Sequence, residues 1–210
     1  MKKIIDINTW KRKEHYLFFK DCQEPFFGIT ANVDCTKAYQ AAKEKGLSFF
    51  LYYMYQSIKA VNGVEEFRYR ISNGEVTCYD TIHCSTTALN ANDLFAFAFI
   101  PYTETFEEFY ALGQKELAYI KSIDHMNVNE DSAREDIIHY STIPWVSFTG
   151  LTHERNFSRP DSIPKITFGK LFSDGGKLLL PVAVNGHHSL MDGLHVGKYY
   201  ELFQYLLNNG

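Results

Sequence analysis

The chain has 210 residues, a formal net charge of −4, 45% hydrophobic residues and 22% charged residues. That length and balance suit a soluble globular protein with a real core. With no basic excess and no polybasic run, they exclude a nucleic-acid surface or an electrostatic membrane anchor.

The start, "MKKIIDINTWKRKEH", has no long apolar run before charges return, so no signal peptide is expected, and no window is apolar enough to span a membrane. Cys22, Cys35, Cys78 and Cys84 form no C-x-x-C pair and match no zinc ribbon. They read as reduced thiols of a cytoplasmic protein, with a Cys78–Cys84 disulfide as the alternative. Without repeats, low-complexity tracts or Gly/Ser linkers, residues 1–210 are expected to form one domain.

"TWKRKEHYLFFKD" predicts a short helix with Thr9 as its N-cap, and "DCTKAYQAAKEKG" a second, capped by Asp34 or Thr36 and stopped by Gly46. "SFFLYYMYQSIKAVNG" follows as a mostly apolar, buried helix. "EFRYRISNGEVTCYD" is a hairpin with Asn73-Gly74 at a type I′ turn. "HCSTTAL" and "LFAFAFIPY" are strand candidates; "TETFEEFYALGQKELAYIKS" has helical spacing, and 123–137 reads as loop. "IIHYSTIPWVSFTG" and "PKITFGKLF" are read as strands, and "SDGGK" as a turn. "LLLPVAVN" is a strongly apolar strand in which Pro181 implies a bulge or a local edge. "DGLHVGKYYELFQYLLNNG" closes as an amphipathic helix. The order mixes strands and helices without strict βαβ alternation, which predicts an α/β or α+β fold with a mixed β-sheet flanked by helices.

"VAVNGHHSLMDGLHVGKYY" places His187 and His188 between the end of a buried strand and a helix that Asp192 can cap. In extended backbone the two rings face opposite sides. One therefore faces a site while the other packs and hydrogen-bonds. A metal reading would use His188, Asp192 and His195 at i, i+4, i+7, but Gly186 and Gly193 bracket a turn, against one continuous helix.

The segment "HHSLMDG" resembles the H-H-x-x-x-D-G pattern of coenzyme A-dependent acyltransferases, and "VNGHHSLMDGLHVGKYYELFQYL" is similar to the C-terminal signature of the chloramphenicol acetyltransferase family. "WKRKEHYLFF", "STIPWVSFTG" and "ITFGKLFSDGGKLLLPVAV" resemble further family segments in the same order, so the resemblance covers nearly the whole chain. It implies a two-layer sandwich and an acetyl transfer from acetyl-CoA, without a metal, to a hydroxyl of a small, largely apolar or aromatic acceptor. It also implies a homotrimer with sites between subunits. His188 matches the general base, a role that a neutral imidazole suits. Ser141 matches the donor to the oxyanion, Asp192 the structural aspartate and Arg12 its partner. Thr167 matches a threonine that holds an ordered water. Phe18, Phe19 and Phe27 match the acceptor wall, where the family has a Phe-Tyr pair at positions 18 and 19. His139 stands where the family has asparagine, and Ser48 where it has a lysine that contacts the coenzyme; Lys170 is retained on the coenzyme side. A non-catalytic relative that binds coenzyme A or a small aromatic ligand is the alternative, though such a binder would have little reason to keep His188 and Ser141. A dihydrolipoyl acyltransferase shares the histidine motif but usually sits in a longer chain.

Overall fold

A computed structural model describes residues 1–154, 156 and 161–210. In chain order the elements are β1 (Lys2–Ile4), α1 (Lys13–Phe19), β2 (Phe26–Asp34), α2 (Thr36–Glu44) and α3 (Phe49–Gly63). Then come β3 (Tyr69–Ser72), β4 (Glu75–Tyr79), β5 (His83–Leu89), β6 (Phe95–Ile100) and α4 (Phe106–Ser122). The last are β7 (Ile137–Thr142), β8 (Lys165–Phe168), β9 (Phe172–Asp174), β10 (Lys177–His187) and α5 (Gly193–Asn209). Seven strands form one mixed sheet in the order β2-β10-β8-β7-β5-β6, with β9 beside β10, and β1-β4-β3 form a second, smaller sheet. Among the described residues, only β5–β7 and β7–β8 pair in parallel within the large sheet. Among the described residues no helix is long and apolar enough to cross a membrane.

The core lies on one face of the large sheet. Tyr140, Ile166, Val182 and Val184 point there and pack against Met54, Ile58, Tyr199 and Phe203 of α3 and α5. Ser57 keeps this layer satisfied by bonding the hydroxyls of Tyr140 at 3.0 Å and Tyr199 at 2.7 Å. The residues alternating with these, among them His139, Ser141, Lys165 and Thr167, point to the other face.

Most predicted elements form, and the departures have local causes. Helix α1 begins at Lys13 because the Thr9 hydroxyl donates to the Asp6 carbonyl at 3.3 Å and is spent in the preceding turn. Asp34 accepts from both the Thr36 amide and hydroxyl at the start of α2, and Gly46 takes φ +65° just beyond its end. Ser48 caps α3 through the Leu51 amide. Asn73 and Gly74 both have positive φ, as the type I′ turn requires, but Glu65–Arg68 form a 3-10 turn ahead of the hairpin. A second such turn, Glu130–Ala133, sits inside the predicted loop. Strand β7 stops at Thr142, two residues before Pro144, and "PKITFGKLF" divides into β8 and β9. At that division β10 exchanges one partner for the other, and Pro181 sits there. Its carbonyl accepts from the Gly169 amide at 2.8 Å, so its missing N–H lies on the same side, where the ladder is interrupted. It is a local edge, not a bulge, because its pairing with β2 runs on unbroken. The four cysteines are free thiols.

Arg70 is the largest fully buried side chain. It donates to the carbonyls of Phe67, Tyr69, Glu135 and Ile137, and so fastens the hairpin to the start of β7. Burial lowers its pKa to about 10, which leaves it charged at neutrality. Arg70→Met fills the volume but leaves four carbonyls without this donor. A loss of at least about 3 kcal/mol is expected in the urea unfolding free energy, on the usual scale for unsatisfied buried groups.

Candidate active site

Strand β10 runs out at His187 into a tight turn that delivers Asp192 to the start of α5. Gly186 permits the turn, because a Cβ there would overlap the Met191 side chain, whose Cγ would stand 2.8 Å away. Asp192 caps α5 through the Leu194 amide at 3.0 Å. His187 is buried at 5% exposure; its Nδ1 accepts from the Ser189 amide at 3.3 Å, and its ring meets Phe26 edge-on. His188 points the other way. Its ring stacks on Phe19 at 4.2 Å and 6°, and leans on Phe27 at 4.6 Å and 37°. Its amide donates to the Pro25 carbonyl at 2.8 Å. The two rings thus pack against different aromatic partners on opposite sides of the strand end.

Arg12, 9% exposed, spans the turn from outside. Its Nη1 donates to Asp192 Oδ2 at 2.7 Å and its Nη2 to the His188 carbonyl at 3.3 Å. Burial alone would raise the Asp192 carboxyl; the hydrogen bonds it accepts from Arg12 and from the Leu194 amide, together with the Arg12 charge, outweigh it and hold the pKa below its ordinary value. In the metal reading His195 was a ligand. Here its Nδ1 accepts from the Asp192 amide at 3.1 Å and its Nε2 lies 3.2 Å from Glu66, so both nitrogens are engaged.

A second group gathers on the other face of the sheet. Ser141, Thr167 and His139 line a cavity of about 880 Å³, together with Lys165, Phe95 and Phe97. The Ser141 hydroxyl makes no side-chain hydrogen bond among the described residues, so it is free to donate. The Thr167 hydroxyl lies 3.4 Å from His153 Nε2. Lys165 pairs with Asp161 and lies over the Phe26 ring. Burial, reinforced by the Lys165 charge, lowers the His139 pKa to about 4, so its imidazole is neutral at pH 7.

The sheet register separates the two groups. Ser141 pairs with Thr167, and Thr167 with Ala183. His188 follows Ala183 by five residues. At about 3.4 Å per residue and about 4.8 Å per strand, His188 and Ser141 of one chain stand on the order of 20 Å apart. Of the anticipated residues, Arg12, Asp192, Phe19 and Phe27 are thus brought to His188, whereas His139 and Thr167 are brought to Ser141. Phe18 touches Phe19 edge-on but is 75% exposed. Lys170 is exposed in the bend after β8, its amide bonded to the Val146 carbonyl. Lys165 and Glu66 were not anticipated. The strand period would have placed Lys165 beside Thr167, but no local signal marks Glu66.

A histidine on such a turn, bridged by an arginine–aspartate pair and carried by this sheet, defines an acyltransferase of the H-H-x-x-x-D-G class. The family profile "Chloramphenicol acetyltransferase" matches residues 2–204, and the chain belongs to that family. A chloramphenicol acetyltransferase of Clostridium perfringens is 32% identical, covering 98% of this chain and 94% of that one. One of Bacillus pumilus is 29% identical over 100% of this chain and 94% of its own. A solved chloramphenicol acetyltransferase superposes with a TM-score of 0.91 at 34% identity, over 99% of this chain and 100% of that one. The Azotobacter vinelandii dihydrolipoamide acetyltransferase, with a TM-score of 0.68 at 14% identity over 97% and 87% of the two chains, shares the fold.

Because the folded Asp192 pKa is depressed, its contribution to stability is full above the unfolded carboxylate value of about 3.9 and is lost as pH falls through the lower folded value. Asp192→Asn should therefore lower the thermal midpoint at pH 7, and thermal melts across pH should show that deficit shrinking below about pH 4.

Proposed function

We propose that the protein moves the acetyl group of acetyl-CoA to a hydroxyl of chloramphenicol or a related small, largely apolar alcohol. The observation that carries this reading is the His188 imidazole, held between two phenylalanines by a turn that Arg12 spans. In the reaction, His188 removes the acceptor's hydroxyl proton as the oxygen attacks the thioester carbonyl carbon. The Ser141 hydroxyl donates to the oxygen that becomes negative. The intermediate collapses, the carbon–sulfur bond breaks, and the imidazolium returns the proton to the coenzyme A thiolate. No side chain is acetylated, so the thiols have no chemical part; their free state suits the cytoplasm.

The spacing of about 20 Å between the two groups means that one chain cannot present both to one substrate. We infer that His188 of one copy faces the Ser141 cavity of the next, in a homotrimer with three shared sites. The apolar wall of that cavity, with Phe95 and Phe97, suits an aromatic acceptor, and His139, Lys165 and Asp161 supply its polar end. On this reading exposed Lys170 meets the coenzyme's phosphates.

Thiol release from acetyl-CoA in the presence of chloramphenicol is the direct assay. His188→Ala should abolish it in folded protein, and Ser141→Ala should lower kcat roughly a hundredfold, the scale of one oxyanion donor. Full turnover in the His188 variant would overturn the assignment. Unfolding and co-refolding the two impaired variants together should raise activity above the residual turnover of the Ser141 variant, because some mixed interfaces then join an intact His188 to an intact Ser141. No recovery in mixed trimers would reject the shared site.

A further inference from the structure

The turn that carries His188 is braced from a side the catalytic residues do not explain. His195 lies in the first turn of α5, at 7% exposure, and completes a reciprocal cap: Asp192 accepts from the helix while His195 Nδ1 accepts from the Asp192 amide at 3.1 Å. An amide can only donate, so Nδ1 must present a lone pair and the ring proton must sit on Nε2. Glu66 Oε1, on the 3-10 turn after α3, stands 3.2 Å from that nitrogen. The contacts then run from Glu66 to His195, from His195 to Asp192, from Asp192 to Arg12, and from Arg12 to the His188 carbonyl.

We infer that Glu66 is a positioning residue for acetyl transfer: its carboxylate fixes the Nε2–H tautomer of His195, and His195 in that form holds the turn that presents His188. The other tautomer would set an Nδ1–H against the Asp192 N–H. A doubly protonated ring would turn Nδ1–H toward Asp192 Oδ1, 3.0 Å away, which is the oxygen that caps Leu194. Both displace the cap. The charged groups facing the ring are Glu66, Asp192, Arg12 and Lys198. Burial keeps the imidazole below its usual pKa against the pull of the two carboxylates, so the neutral ring is the resident form at pH 7.

This inference rests on His188 being the base, and the experiment separates the two. Ring-nitrogen NMR of the intact protein should report a single Nε2–H tautomer for His195, and an Nδ1–H ring in the unaltered protein would overturn the inference. Glu66→Ala should lower kcat roughly ten- to a hundredfold, the scale of a small misplacement of a reacting group, with KM for acetyl-CoA and chloramphenicol within about twofold. The His195 tautomer signal should become mixed. Glu66→Gln, whose amide oxygen still accepts from Nε2–H, should keep most of kcat. In a His195→Gln background, where glutamine can still cap Asp192, Glu66→Ala should cost nothing further. Wild-type kcat in Glu66→Ala, or an equal loss in that background, rejects the role. If His188→Ala keeps full turnover, the underlying reading fails instead, whatever the tautomer shows.

Discussion

The guanidinium of Arg12 is tied to the Asp192 carboxylate and to the backbone of His188, residues from opposite ends of the chain. Arg12 is also the residue from which α1 starts, and Phe19 is the residue on which α1 ends. One ion pair therefore places the imidazole and the ring stacked against it. Moving Arg12 would shift the His188 imidazole, its aromatic wall and the cap of α5 together. Arg12 is nearly buried while the Asp192 side chain keeps 30% exposure, so losing the aspartate strands the guanidinium's charge, a heavier penalty than the pair's own net contribution. This explains why a contact at the edge of the fold can govern the geometry of the chemistry.

The large sheet divides its labour by face. One face is sealed by α3 and α5 and supplies cohesion. The other presents a lateral row in which Ser141 and Thr167 are neighbours by strand register, so their mutual geometry is as rigid as the ladder itself. His188, the proposed base, sits outside this row, on a turn. On the proposed assembly, the distance between base and oxyanion donor is set by docking of copies and not by folding of one chain. Catalytic competence then depends on the oligomer even where stability does not.

The sequence disclosed the turn and its cap because the signals there are short-range: a strand period, a glycine, an aspartate and a helical stripe within a single segment. It disclosed the Asn73-Gly74 hairpin for the same reason, since both residues must take positive φ. Boundaries were less legible. Thr9 looks like a cap until Asp6 claims its hydroxyl, and "PKITFGKLF" looks continuous until β10 changes partners. The separation of Ser141 from His188 follows from sheet order, which no local pattern encodes. Glu66 was invisible, because its meaning comes from a helix that begins more than a hundred residues later.

Pro181 bears on this geometry in a way its chemistry alone does not suggest. It can lie in β10 only where no neighbour asks for an N–H, and the gap between β8 and β9 is that place. Sliding β10 by one residue would bring the ring under a ladder that needs a donor and would turn every side chain to the wrong face. The proline thus works as an index mark along the strand. It permits one alignment and penalises its neighbours, and so sets how far beyond the last rung the histidine emerges.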